Sequence, residues 1–280
     1  MLAEAEDVAL GDLDQVVNSV LAAPVPRWDH RRHYEGPRMA EYVLVLSTLN
    51  FSFWGSGRGY WQLAEALRDC FDRGDRPLWE GEYLAGIDSS ALAEMTGDLP
   101  IMERRADALR ELGRLVLAEH AGDLKRLVPG SAVDLARLLS EKLESYADFA
   151  TYRGRRVPLL KRAQIAAADL WGAGAANFGD ISALTCFPDY KLPQVLRHTG
   201  ALVYSDRLAR RVDDWRELEP GESAEVEIRA ATVVAVEEIR ERVAAAGRDL
   251  LAVEVDWILW AHSQGLFPVR PYHRTRTVFY

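Results

Sequence analysis

The sequence predicts an all-α, mainly helical protein. Apolar residues recur at helical spacing along most of the chain, and the interruptions rich in Pro and Gly are short. Strand-like alternation is confined to the C-terminal tail. No repeat, low-complexity run or shift in composition marks a linker, so residues 1–280 are expected to form one mainly helical domain.

Residues 7–23 read as an amphipathic helix stopped by Pro24 and Pro26. A polar, aromatic and His-rich stretch, Arg27–Pro37, follows. Residues 38–49 fit both a helix and a buried strand, because Tyr42-Val-Leu-Val-Leu46 satisfies both patterns; length favours the helix. The glycines of Gly55-Ser-Gly-Arg-Gly59 loosen the chain before helices over 60–74 and 90–97, the second capped by Ser89 or Ser90. Over 102–120, Leu109, Leu112 and Val116 share one face and charges cover the other. A helix follows over 131–146, and Pro158 opens another that runs through Trp171 to Gly172. Pro193 starts a short helix through His198, with Thr199-Gly200 as its stop. Ser223 caps a long helix whose buried stripe is Val233, Val236, Ile239 and Val243. The last helix covers Asp249 to Gln264, and the tail from Arg270 to Tyr280 has the alternation of an edge strand.

Composition narrows the function classes. Lys and Arg number 34 against 43 Asp and Glu, a net charge of −9, which argues against a broad footprint on duplex nucleic acid while leaving room for a pocket holding one phosphate. Cys70 and Cys186 are the only cysteines, too few for a disulfide framework or a zinc cluster and typical of a reducing compartment. The acidic start lacks the basic region of a signal peptide, and no apolar run approaches the roughly 20 residues needed to span a bilayer. A soluble cytoplasmic protein is expected.

The chemistry is expected in Phe178–Gln194. There Asp189 sits between Pro188 and Tyr190. Pro188 fixes its own φ and biases Phe187 toward extended backbone, so the Asp189 carboxylate leaves a rigid chain. That pattern serves a catalytic group and a helix cap equally. Asn50, Phe51 and Trp54 combine an amide with aromatic surface beside the glycines, which suits a slot for a flat heterocycle or simply a helix end packed into the core. His33, in a loop, is either solvated or a donor to a polar substituent. Lys161 lies in the apolar run Leu159–Ile165, where a lysine snorkels to water or neutralises a carboxylate or phosphate. Asp256 lies among bulky apolar residues and needs a partner if buried, and Trp260 projects from the same helix face four residues on. The sequence has no H-E-x-x-H, C-x-x-C, Walker or G-x-S-x-G motif, and Gly55-x-Gly-x-Gly59 has neither the spacing nor the strand of a dinucleotide fingerprint.

Several blocks together resemble one family. They are Leu49-Asn-Phe-Ser-Phe-Trp54, Lys161-Arg-Ala-Gln-Ile165, Asp180–Leu196, Gly200–Asp206, Glu225-Val-Glu-Ile-Arg229 and Pro271–Tyr280. In this order they resemble the queuosine salvage proteins, the queuosine 5′-phosphate N-glycosylases/hydrolases. The resemblance implies release of queuine from queuosine 5′-monophosphate for salvage into transfer RNA. It also implies a helical fold similar to helix-hairpin-helix DNA glycosylases, with Leu192–Tyr204 as the hairpin, and no metal or organic cofactor. Asp189 then takes the catalytic carboxylate role, Phe187 and His33 line the queuine pocket, and Asp256 binds the polar edge of the base. Asn50, Phe51, Tyr190 and Trp260 join the substrate-binding set, and Lys161 or Arg274 meets the 5′-phosphate. The chain departs from the family pattern at Ala261, where an acidic residue is expected after Leu259-Trp260. The small-molecule substrate and its product are the expected partners, with no stable nucleic-acid complex and no membrane. Two rival readings remain at this stage: a non-catalytic module that binds nucleic acid or a modified base, and a hydrolase of ordinary nucleosides.

Overall fold

The computed structural model describes residues 4–266 and 269–280, and among them are twelve α-helices and four short strands. The predicted helix over 7–23 is in fact strand β1 (Val8–Leu10) followed by α1 (Asp14–Ala22). Helix α2 (Met39–Leu49) is buried on nearly every side, which is why its sequence also fitted a strand. Helix α3 (Tyr60–Arg73) runs as expected to Gly74, and the short α4 (Gly81–Gly86) carries no periodic signal in the sequence. Helix α5 (Ser89–Thr96) is capped by Asp88, not by a serine: its carboxylate accepts from the Ala91 N–H at 2.7 Å. Helix α6 (Met102–Glu119) buries Leu109, Leu112 and Val116 as its pattern requires. Helix α7 (Ala132–Lys142) has Ser131 as its cap and gives way to a 3-10 turn at Glu144–Tyr146.

Pro158 does not open a helix. It ends strand β3 (Arg155–Pro158), which pairs antiparallel with β2 (Phe149–Tyr152). Arg153 and Gly154 join them with φ of 48° and 77°, the backbone of a two-residue hairpin turn whose twist matches the strands. Helix α8 (Lys161–Gly172) starts three residues after the proline. Helix α9 (Lys191–His198) likewise begins before Pro193, which sits in its first turn, where the missing N–H costs nothing. Beyond Thr199-Gly200 the chain enters strand β4 (Leu202–Tyr204), and the next helix is α10 (Asp206–Asp213), capped by Ser205. Leu192–Tyr204 is therefore a helix followed by a strand. Then come α11 (Ser223–Ala245) and α12 (Ala252–Gly265). The tail is not an edge strand: its one ladder contact is an isolated parallel bridge between Glu217 and Arg274.

The chain divides into two compact units, each assembled from separated segments. The first comprises Met1–Pro26, Phe149–Lys161 and Ser182–Thr277, and α11 is its axis. The first turns of α11 are buried on all sides from Glu225 to Thr232; further on, Val236, Ile239 and Val243 continue into the core while Val234 is exposed. Helices α1, α9 and α12 and the β1–β4 pair pack around it. Strand β1 pairs with β4 in the register Val8–Tyr204, Ala9–Val203, Leu10–Leu202, a partnership that takes these residues out of the helix their local pattern favoured. Just beyond, Gly11 lies so close to the Gly200 carbonyl oxygen that a Cβ would stand 2.1 Å from it. Glu227, buried on α11, anchors this strand: its carboxylate accepts from the backbone N–H groups of Glu6, Asp7 and Val8 at 2.7–3.2 Å and from the Tyr152 hydroxyl at 2.7 Å.

The second unit comprises Arg27–Asp148, Arg162–Ile181 and Val278–Tyr280, with α6 packed against α2, α4 and α5. Gly113 permits the closest approach, because a Cβ there would lie 2.4 Å from the Ala85 nitrogen and 2.7 Å from the Gly81 oxygen of α4. Two fully buried arginines hold the end of α2. Arg105 donates to the carbonyls of Leu49, Phe51 and Ser52, and Arg162 to those of Ser47 (3.0 Å), Thr48, Ser145 (2.9 Å) and Val278 (2.7 Å). The last carbonyls of a helix have no intrahelical partners, and two cations supply them here.

Because Ile239 is enclosed, Ile239→Ala should cost about 2–5 kcal/mol of unfolding free energy. Val234→Ala on the exposed face of the same helix should change it by less than about 0.5 kcal/mol. Urea unfolding of both variants measures the difference.

Candidate active site

Between the 3-10 turn at Ile181–Ala183 and the start of α9, no helix or ladder holds the backbone of the first unit. Side chains hold it instead. Asp256, buried on α12, accepts from the Phe187 N–H through Oδ2 at 2.7 Å. Arg229, buried on α11, donates from Nε to the Pro188 carbonyl at 2.9 Å and from Nη1 to Glu225, one turn earlier, at 3.3 Å. The Asp189 N–H closes a tight turn on the Phe187 carbonyl at 2.7 Å.

The Asp189 carboxylate emerges from this turn beside the N-terminus of α9. Its Oδ1 accepts from the Lys191 N–H at 2.7 Å and the Leu192 N–H at 3.0 Å, so the helix-cap role is real. Oδ2 makes no hydrogen bond among the described residues. Burial raises the proton affinity of Asp189 above the usual carboxylate range, opposed by the Lys161 ammonium, the two backbone N–H groups and Lys191. Lys161 is only 4% exposed, so it does not snorkel; as the first residue of α8 it directs its charge toward Asp189. Burial also raises the neighbouring Cys186 thiol, leaving it protonated.

Tyr190 meets Tyr272 at a tilt of 37° with ring centroids 4.9 Å apart, Tyr272 meets Trp215 edge-on at 5.3 Å, and the Arg274 guanidinium lies 4.0 Å over Trp215. Phe187 is buried, and Trp260 is half-buried against the core of the unit, one turn from Asp256. Ala261 is exposed. At the other end of the predicted stretch, Asp180 belongs to the second unit and caps α7: it accepts from Ser131 Oγ at 2.6 Å and from the Ala132 and Val133 N–H groups, which hold its carboxyl below the usual range.

Of the residues singled out in the sequence, the structure brings Asp189, Phe187, Tyr190, Asp256 and Lys161 into one network within the first unit. His33, Asn50 and Phe51 are in the second. His33 is not solvated: at 3% exposure it stacks on Trp28 at 3.9 Å among Tyr42, Tyr60 and Trp61. Burial drives its pKa down to about 4, so the ring is neutral. Nδ1 faces the Asp29 carbonyl at 3.0 Å and must carry the proton, which leaves Nε2 to accept from the Tyr60 hydroxyl at 2.8 Å. Asn50 ends α2, and the Phe51 ring is flanked by the Arg105 and Arg162 guanidinium groups at 4.4 and 4.7 Å. Among the described residues no three His, Cys, Asp or Glu side chains converge to hold a metal ion, and no helix is long and apolar enough to cross a membrane.

A family model described as queuosine salvage protein matches residues 30–280. The chain belongs to this family. It is 41% identical to the queuosine 5′-phosphate N-glycosylase/hydrolase of Sphaerobacter thermophilus, over 91% of this chain and 86% of that protein. Proteins of the same name from Dictyostelium discoideum and Mus musculus are 35% and 33% identical, over 86% and 89% of this chain and 78% and 85% of their own lengths.

Residue types alone did not give the hold of Arg229 on Pro188, although Glu225-Val-Glu-Ile-Arg229 carried a signal, three charges on a helix whose intervening residues are apolar. An ionised Asp189 weighs against the folded state. Its native proton affinity exceeds the unfolded value of about 3.9, so the native state holds the proton more firmly and stability falls as pH rises through the native pKa. Asp189→Asn keeps the Oδ1 acceptor and removes the charge. It should unfold at a higher temperature than the unmodified protein at pH 7.5, with the gap closing toward pH 4, as calorimetry across that range will measure.

Proposed function

We propose that this chain hydrolyses the N-glycosidic bond of queuosine 5′-monophosphate and releases queuine, with Asp189 as the catalytic carboxylate. The carrying observation is that carboxylate itself: buried, fixed through Oδ1 by two backbone N–H groups, and presenting Oδ2 with no hydrogen bond among the described residues. The family match and the relatives' names support the choice of substrate. In this reading the protein works as a soluble cytoplasmic enzyme.

Breaking the bond between the base nitrogen and the ribose C1′ sends its electron pair to the base and builds positive charge on C1′. A carboxylate oxygen facing C1′ stabilises that charge, and in a site shielded from water the interaction is far stronger than in bulk solvent. The oxygen of a water molecule then bonds to C1′. A carboxylate with raised proton affinity is suited to take the proton that this water releases and to pass it to the departing base nitrogen, so queuine leaves with that nitrogen protonated and ribose 5-phosphate keeps the hydroxyl. Lys161 offsets part of the burial that disfavours an ionised Asp189, and Asp256 takes the polar edge of the base in addition to its hold on Phe187.

Incubation with queuosine 5′-monophosphate, followed by chromatography, should yield free queuine. Asp189→Asn should lower kcat by about 10³-fold or more while leaving queuine binding in place. A variant near the unmodified rate would remove Asp189 from the chemistry. Comparable cleavage of adenosine or guanosine monophosphate would make the protein a general nucleotide hydrolase, and salt-sensitive binding of transfer RNA without base release would make it a binding module. Because the ionised carboxylate is the working form, kcat/KM should rise with pH through an apparent pKa above the ordinary carboxylate value of about 3.9. A pH–rate profile measures it.

A further inference from the structure

We infer that Arg229 is a positioning residue for the hydrolysis, holding the peptide from which Asp189 projects so that the carboxylate keeps its aim. This inference rests on Asp189 being the catalytic group.

Pro188 has no N–H, so its carbonyl is the one backbone handle by which it can be gripped. Arg229 takes that carbonyl at 2.9 Å, and the Asp189 N–H on the other side of the same peptide is bound to the Phe187 carbonyl at 2.7 Å. With both polar atoms engaged the peptide plane cannot rotate. That plane sets the direction of the Asp189 Cα–Cβ bond, and hence which carboxylate oxygen meets the N–H groups of Lys191 and Leu192 and which is left to face the substrate.

The chemistry calls for arginine. Its planar fork reaches the Pro188 carbonyl through Nε and the Glu225 carboxylate through Nη1 at the same time, which the single point of a lysine ammonium cannot do with the same rigidity. Glu225 is also held, accepting from the Gly221 N–H at 3.2 Å, so the guanidinium pivots against a fixed anion. His273, fully buried nearby, is neutral: burial, and then the charge of Arg229, push its pKa down to about 3, so it adds no competing cation. Displacement of a reacting group by about 1 Å can cost on the order of 10²-fold in rate, which sets the scale expected here.

The test uses the full-length protein with queuosine 5′-monophosphate, the variants Arg229→Lys and Glu225→Gln/Arg229→Gln, and Asp189→Asn in parallel. The double variant removes both charges, so neither is left buried alone. Arg229→Lys should lose about 10-fold in kcat and the double variant about 100-fold, each with KM within about twofold. Hydrogen exchange of the Asp189, Lys191 and Leu192 amides should accelerate about 10-fold or more in both, while the amides around Ile239 keep their protection. Unmodified kcat in a folded variant would overturn the inference. So would exchange that accelerates equally throughout the chain, which would mark Arg229 as a general stabiliser. If the double variant does not fold, Arg229→Lys decides by the same criteria. An unmodified protein that releases no queuine would overturn the functional reading and this inference together. Release of queuine that Asp189→Asn abolishes and the Arg229 variants leave intact would overturn this inference alone.

Discussion

The charge-assisted hydrogen bond from the Phe187 N–H to the Asp256 carboxylate stands for a device on which this protein relies throughout. Buried backbone groups outside helices and ladders must still find partners, and here ionised side chains supply them. Glu227 collects the N–H groups leading into β1, Arg248 collects the carbonyls of Val20, Leu21 and Ala23 at the end of α1, and Arg105 and Arg162 do the same at the end of α2. Hydrogen bonds to charged groups contribute roughly 1.5–3 kcal/mol each, about twice the neutral kind. The arrangement is also unforgiving: deleting one member leaves a charge in the interior, at a cost of about 3–5 kcal/mol. Irregular segments thereby acquire the rigidity that secondary structure gives elsewhere.

Asp189 uses the same device for another end. Glu227 and Asp7, buried in the same unit, engage both of their carboxylate oxygens, whereas Asp189 commits only one. Burial penalises its charge, and Lys161 with two N–H groups recovers part of that penalty. A carboxylate whose charge is disfavoured by burial and partly restored by a neighbouring cation suits the proposed role, in which it stabilises a transient cation and accepts a proton in the same cycle.

Much of the fold was legible from spacing alone. Helices α2, α3, α6 and α11 follow the 3.6-residue period because they bury one stripe, or in α2 nearly the whole surface, and both cases leave a mark in sequence. What failed was decided by distant partners. Val8–Leu10 joined a helical pattern until β4, almost two hundred residues on, offered a ladder; Arg153-Gly154 makes a hairpin turn without the usual Asn-Gly signature, and Pro158 was read accordingly. Within the candidate site, Asp189 stood out in the sequence because proline and aromatic neighbours constrain it locally and the surrounding blocks resemble a family. Arg229 was not. Seen along α11 it is half of an ordinary pair four residues apart, and only the folded chain brings Pro188 to its other side.

The grip on Asp189 is also spread widely along the chain. Pro188 is held from 41 residues downstream and Phe187 from 69, and the unit containing them begins with the first segment and is completed by one that extends to Thr277. On the ribosome, the carboxylate therefore emerges well before either of its anchors. A nascent chain that has reached α10 already contains Asp189 and its local cap but neither of the two side chains that hold Phe187 and Pro188. Both anchors are present only once α11 and α12 have left the exit tunnel. The first unit, interrupted twice by the second, cannot fold vectorially from its N-terminus; its opening strand has to wait for the C-terminal third to be made.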